Sequence, residues 1–481
     1  MSIIIPANSA SAAGGFQVAN SVRFNGGSND HLKKTFGTPT NAQKYTMSWW
    51  FKGTGIATGS MFEAASGNAQ NGAFVYLKTD DLQINSIVGN SEVMKLIPNA
   101  HYQDYSAWYH LCFAVDVTLG TAADRNKLYI NGERVTSFVT QTNAPQNTNG
   151  MFNTAIEHLI GIDIYNSGGS LATPFNGYIS EFVFIDGSQL APTDFGEFDS
   201  DSGIWKPIDG LADDLTFGDN GFYLDFQDSS NLGNDVSGEN NDFTVVNLTA
   251  ISQSTDTCTN NFSTLNKNDV MRSGTSSVFT PIFSEGNLKM SDTATNNYSA
   301  FGSIAVETGK WYWEMKIPNY DPNLGNRIGL FYGNNKAHSG SYYNGSNGFL
   351  IHQNGSIYTS GASTAYMATF SDNIIITFAL DRTNGLSYVG AGGSWADGNG
   401  NTNQSFANAV AVQTKLSITM INDITFPFFD VYGNTSQLMN FGSPSFAISS
   451  GNADGNGYGN FEYTVPDGYY ALNTKNLAEF G

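Results

Sequence analysis

From about Val18 onward the chain is a succession of short apolar runs separated by clusters of Gly, Asn, Asp and Ser, the spacing of a β-sandwich or barrel. Several runs alternate with period two, so that every second side chain falls on one strand face. In residues 311–317, Trp311, Trp313, Met315 and Ile317 share a face, and Tyr312, Glu314 and Lys316 share the other. In Ile374–Asp381, Ile374, Ile376, Phe378 and Leu380 fall together. Each large apolar side chain buried on such a face contributes roughly 1.5–3 kcal/mol before conformational entropy opposes it. Residues 179–185 differ: Phe182 and Phe184 oppose Val183 and Ile185, which predicts a strand covered on both sides.

The pattern weakens between about Phe198 and Asn268, where Asp, Asn, Ser and Gly dominate. One strand-like island interrupts it, Gly221-Phe222-Tyr223-Leu224-Asp225-Phe226. The first eighteen residues are small and polar without periodicity and read as an arm. The end, from Tyr469 to Phe480, predicts a short docking helix. The fold class is therefore all-β, two antiparallel jelly-roll-like sandwiches in tandem with an irregular connector. The expected parts are an arm over 1–18, a sandwich over 19–200, a connector with short strands over 201–268, a second sandwich over 269–447 and an extension over 448–481.

At 481 residues there is chain enough for two or three domains, and 34 Phe, 23 Tyr and 7 Trp suffice for more than one core. Charged residues make up only 13%, so the polar surface is built from Asn, Ser, Thr and Gly. The net charge of −21, with no basic patch, sets nucleic acid aside and disfavours anionic membranes. No segment reaches the about 18 consecutive apolar residues of a bilayer span, and the start lacks the basic region of a secretory signal. Of the two cysteines, Cys112 falls in a predicted strand and Cys258 in a polar loop, in what read as different modules, so no disulfide is expected.

Two sets of residues carry a resemblance. Val22 to Gly26, Met47 to Phe51, Trp108-Tyr109-His110-Leu111, the Leu128 to Glu133 hairpin and Asn176 to Phe182 resemble the laminin-G-like, concanavalin A-like lectin fold. Gly309 to Glu314, Arg327-Ile328-Gly329-Leu330, Gly348-Phe349, Ile374–Asp381, Pro427-Phe428-Phe429 and Asn440-Phe441-Gly442 resemble the SPRY fold. One departure is Gly390-Ala391-Gly392-Gly393, which stands where that fold carries an Asn-Gly hairpin. The pairing, with the island at 221–226 and a tail like Ala471 to Leu477, is similar to structural proteins of marine bacteriophages. That implies a virion component at the particle surface, made in the host cytoplasm. Fold does not transfer function by itself, so the chemistry has to be sought in the residues.

The enzymes nearest a lectin-like sandwich are β-glucanases, which need carboxylates on one strand face flanking the scissile bond. The closest approach is Glu197-Phe198-Asp199-Ser200-Asp201, which ends in Asp, precedes Gly203 and lies in the connector; it reads as a solvated acidic turn. His31, His101, His110, His158, His338 and His352 are scattered, with none at zinc-ligand spacing, and His110 reads as structural. No catalytic residue, metal ligand or cofactor is assigned. Calcium is the one ion left open: Asp397 to Asn401 and Asn452 to Gly457 alternate oxygen ligands as hard-cation loops do, but Asx-rich turns do so without an ion.

Sugar faces stack on Trp and Tyr, so the candidate ligand contacts are loop aromatics beside the second sandwich's strands: Tyr342, Tyr343, Tyr366 and Trp395. Packed loop anchors of the same type are the alternative. The expected function is non-enzymatic, a phage fibre or decoration protein used for attachment to host surface glycans or for particle assembly. A carbohydrate-active hydrolase and a secreted adhesin are the alternatives. The arm would meet other virion proteins, and the two-faced strand at 179–185 suggests a homo-oligomer, with a trimer favoured.

Overall fold

The computed structural model describes residues 15–55, 58–65, 70–78, 80–164, 170–273, 281–292, 297–321, 325–332, 348–359, 362–417, 419–420 and 423–481. It is almost wholly β and divides into two compact units, residues 13–259 and residues 260–481.

In the first unit one sheet runs Glu133–Arg134, Asn126–Ile130, Tyr109–Asp116, Lys44–Gly53, Gly177–Asp186, Ser21–Phe24 and Gln253–Ser254 in spatial order. The facing sheet runs Phe138–Thr142, Ser91–Pro98, Asp81–Val88, Gly72–Lys78, Thr58–Ala65, Glu157–Ile160, His31–Thr35 and Thr244–Val246. Period-two alternation sends Tyr45, Met47, Trp49 and Phe51 into the core between them, where Trp49 meets Phe182 with ring centroids 4.6 Å apart.

The Gly177–Asp186 strand is buried along its whole length and carries a bulge. Its register with Lys44–Gly53 shifts between Ser180 and Val183, so two residues oppose one. The extra residue is Glu181, at φ 51°. Because of the bulge Ile179, Phe182 and Phe184 all reach the inner core, while Val183 and Ile185 turn outward. The outward pair packs with Cys112, Phe195, Leu211, Phe217 and Tyr223. The strand is covered on both sides from within its own unit, which removes it as a ground for oligomerisation.

Much of that cover, Leu211, Phe217 and Tyr223, comes from the stretch expected to be a connector. Phe222–Leu224 pairs with Gly177–Asp186, Thr244–Val246 with His31–Thr35, and Gln253–Ser254 with Ser21–Phe24. Residues 201–259 are therefore part of the first sandwich. Asp and Asn serve there as turn formers that also tie strands. Asp235, for example, accepts from the Tyr223 and Ser237 N–H groups. Cys258, placed by the sequence reading in another module from Cys112, lies in the same unit, and both thiols are free.

In the second unit one sheet runs Leu265–Ser273, Asn297–Gly302, Thr425–Tyr432, Gly325–Tyr332, Gly348–His352, Ser356–Thr359 and Ala362–Ala365. The other runs Ile282–Ser284, Lys289–Ser291, Ser436–Asn440, Lys310–Ile317, Ile374–Asp381, Leu386–Ala391, Ser394–Ala396 and Thr402–Gln404. Trp311, Trp313, Met315 and Ile317 are fully buried on one face of Lys310–Ile317, and Trp313 stacks on Phe378 at 4.5 Å. The other face carries Tyr312 and Glu314.

The C-terminal stretch, expected as an extension from 448, closes that second face. Phe461, Val465, Tyr469 and Ala471 pack with Tyr312, Ala379 and Trp395. Tyr470–Ala471 pairs in parallel with Lys310–Ile317, and the predicted terminal helix forms over Thr474–Phe480, capped by the Asn473 side chain.

Candidate functional site

Closure of the outer face by the C-terminal stretch leaves a cleft of about 500 Å³ in the second unit. Trp395, Phe406, Tyr463, Val465 and Pro466 supply its apolar lining, and Thr377, Ser405, Thr464 and Asp467 its polar groups. Trp395 is held by pairing of Ser394–Ala396 with Leu386–Ala391, and Phe406 sits edge-on to it with centroids 4.8 Å apart. Phe406 is a single aromatic in an Asn-rich loop, placed by the short 3-10 turn Phe406–Asn408. Its ring also meets Tyr388 and Tyr469, at 5.2 Å each.

Tyr463 is positioned from beneath. The Glu314 carboxylate accepts the N–H groups of Glu462 at 3.0 Å and Tyr463 at 2.9 Å, and also Asn440 Nδ2 and the Tyr312 hydroxyl. Burial pushes the Glu314 carboxyl above its ordinary value, and these four donors pull against that rise. Across the cleft mouth Gly393 lies at φ 83°, and a Cβ there would stand 3.1 Å from the Tyr463 ring. The positive φ favours glycine, and any side chain there would press on the Tyr463 ring. At the base the Thr377 hydroxyl is buried with no hydrogen-bond partner.

Of the four predicted contacts, Trp395 lines this cleft, although only 7% of its surface is exposed. Tyr366 is fully buried, its hydroxyl donating to the Val410 carbonyl at 2.7 Å, so it is a loop anchor and presents no face to a ligand. Tyr342 and Tyr343 lie outside the described residues. Sequence reasoning missed Phe406 and Tyr463. The alternation Phe461, Tyr463, Val465 was a usable signal for a strand-like segment, but nothing in it says which sheet face it covers.

The other chemistry considered resolves into structure. Asp199, in the acidic run, caps its own turn: it accepts from the Asp201 and Ser202 N–H groups and from Lys206 Nζ, which hold its carboxyl well below the usual range. Asp397 accepts from the Asn399 and Asn401 N–H groups and from Asn401 Nδ2. Asp454 accepts from Asn456, Tyr458 and Ala471 N–H groups and Asn476 Nδ2, tying the terminal helix down. In both loops weighed for calcium the carboxylate accepts protein donors at each oxygen. Among the described residues Asp80, Asp81 and His101 bring ligand atoms within 4.8 Å of one another, at a partly exposed site where His101 Nδ1 already meets Asp81 at 2.7 Å.

A serine–histidine contact also exists. Ser48 Oγ lies 2.8 Å from His110 Nε2, but the pair is buried and the ring sits between Trp50 and Trp205. Burial lowers the His110 pKa to about 3, and Nδ1 has no orienting partner. The pair lacks both a base and access. Glu63 and Asp163, fully buried, are committed as well: Glu63 accepts the Ile164 N–H and Asp163 the Thr173 hydroxyl.

Residues 25–191 match the family model of the concanavalin A-like lectin/glucanases superfamily. Among solved structures the chain is similar to the SPRY domain of human HERC1, at 14% identity over 36% of this chain and 96% of that one, with a TM-score of 0.28. It is also similar to a heptameric SAP-like pentraxin from Limulus polyphemus, at 20% identity over 37% and 80%, TM-score 0.28. A third is the TRIM65 PSpry domain, at 9% identity over 37% and 91%, TM-score 0.27. No curated protein matches the chain in sequence.

Proposed function

We propose that the chain is a non-enzymatic glycan-binding protein whose ligand site is the cleft bounded by Trp395, Phe406 and Tyr463. The observation that carries this reading is the lining: aromatic surface to stack a sugar face, with exposed hydroxyls at Ser405 and Thr464 to meet its oxygens. The concanavalin A-like match over residues 25–191 is compatible with carbohydrate binding by the chain. A hydrolase would need two carboxylates roughly 5–10 Å apart across the bond. Among the cleft's lining residues Asp467 is the sole carboxylate, which favours binding without cleavage.

The biological setting we propose is the surface of a phage particle, as a fibre or decoration, in a homo-oligomer attached through residues 2–15. Module order and the acidic, low-charge composition support it, and repetition would raise avidity without new contacts. Screening the full chain against a glycan array tests the binding; silence across the array, or release of new reducing ends, would overturn it. Mass spectrometry of purified particles tests the setting, and absence of the chain from intact virions would refute it.

A further inference from the structure

Resting on the glycan reading, we infer that the cleft takes uncharged sugars: a short neutral oligosaccharide whose pyranose face lies on the aromatic wall and whose vicinal hydroxyls donate to the Asp467 carboxylate. Uronic and sialic acids are excluded.

No Lys, Arg or His lines the cleft, and Asp467 stands exposed on its rim. Below the rim Glu314 underlies residues 462–463, and Glu462 accepts the Ser449 N–H beside it. Two lysines on the strand beneath are already engaged: Lys310 pairs with Asp381 and lies over Tyr469, and Lys316 lies over Phe446 and acts on the Glu462 carboxylate. An anionic sugar would thus lose its hydration against carboxylates with no cation to replace it. The net charge of −21 repels it at longer range.

Shape and donor pattern point the same way. The volume of about 500 Å³ falls within the range of small-ligand sites and exceeds what one monosaccharide fills. Gly393, Ser405 and Ala407 are the small residues of the lining and add little bulk beside the rings. An ionised carboxylate is acceptor-only with two oxygens, which matches a pair of adjacent sugar hydroxyls as donors.

The test is calorimetric titration of the full chain with matched neutral and uronate oligosaccharides, cello-oligosaccharides against the corresponding glucuronans, for wild type and Asp467→Asn. Asp467 is exposed, so the variant's melting temperature should match wild type. The inference expects the neutral ligand to bind, the uronate at least tenfold more weakly, and Asp467→Asn to weaken neutral binding while narrowing that gap. Uronate binding equal to or tighter than neutral binding would overturn the charge argument and leave the glycan reading standing. Neutral binding unchanged in Asp467→Asn would overturn the role of the carboxylate. Failure of either ligand class to bind, repeated across a wider array, would remove the glycan reading itself.

Discussion

Asn440 donates from Nδ2 to Glu314 Oε2 at 3.1 Å, so the opening and closing pieces of the second module's signature, 126 residues apart, meet in one hydrogen bond. Asn440 also donates to the Asn460 carbonyl, and the same Glu314 carboxylate takes the N–H groups of Glu462 and Tyr463. The contact therefore reaches from a central strand to the wall of the cleft.

Glu314→Gln tests that connection. The amide keeps one acceptor oxygen and turns an NH₂ toward donors, leaving buried groups unpaired at a cost of roughly 2–4 kcal/mol. We expect a lower melting temperature together with weaker ligand binding, because Tyr463 loses its support. A stability loss with unchanged affinity would separate Glu314 from the cleft.

The first unit holds a buried ion pair, Lys52 Nζ to Asp256 Oδ2 at 2.8 Å, both side chains 1% exposed. Trp108 Nε1 donates to the other carboxylate oxygen at 3.0 Å. Removing one partner strands a charge, so Lys52→Met alone is expected to cost about 3–5 kcal/mol. Lys52→Met with Asp256→Asn should recover part of that loss. Chemical denaturation of the single and double variants measures the coupling, and strict additivity would contradict it.

Glu181 and two histidines give stability opposite pH slopes. Burial raises the Glu181 carboxyl from 4.5 to about 8, with the Tyr223 hydroxyl donating to it. A raised acid contributes fully below its unfolded value and loses that contribution as pH climbs through 8. Burial lowers His110 and His158 from 6.5 to about 3 and about 4, so their contribution is full above 6.5 and fades as pH falls toward those values. Glu181→Gln, which retains an acceptor for Tyr223, should therefore stabilise at pH 8.5 by a few kcal/mol more than at pH 5. Thermal melts at the two values check it; an equal shift at both would contradict the assignment.

Much of this architecture was legible because strands announce themselves by period two. The inner face of Lys310–Ile317 and the double cover of residues 179–185 both follow from alternation. The bulge at Glu181 was readable in principle, since Ile179 and Phe182 are both core-facing at a spacing of three, which unbroken alternation forbids. Short strands within 201–268, the island at 221–226 among them, are legible, but their membership of the first sandwich is not, because Asp- and Asn-rich turns dilute periodicity while still tying three short strands into the sheets. The cleft was half legible. Trp395 stood out as a loop aromatic; Phe406 comes to it through the local pairing of Ser394–Ala396 with Thr402–Gln404, and Tyr463 through its N–H bond to Glu314 on a distant strand, which one-dimensional spacing does not encode. Tyr366 was misassigned for the converse reason: a polar loop surrounds it in sequence, and the fold buries it.

If the cleft binds sugar, obstructing its mouth abolishes that binding. Ala407 is exposed on the rim, so Ala407→Arg narrows the mouth without disturbing the core. Titrating the full chain with the strongest neutral oligosaccharide from the array, wild type against Ala407→Arg, should show binding in the first and at least tenfold weaker binding in the second, at equal melting temperature. Equal affinity in the two proteins would place the site elsewhere and contradict the account.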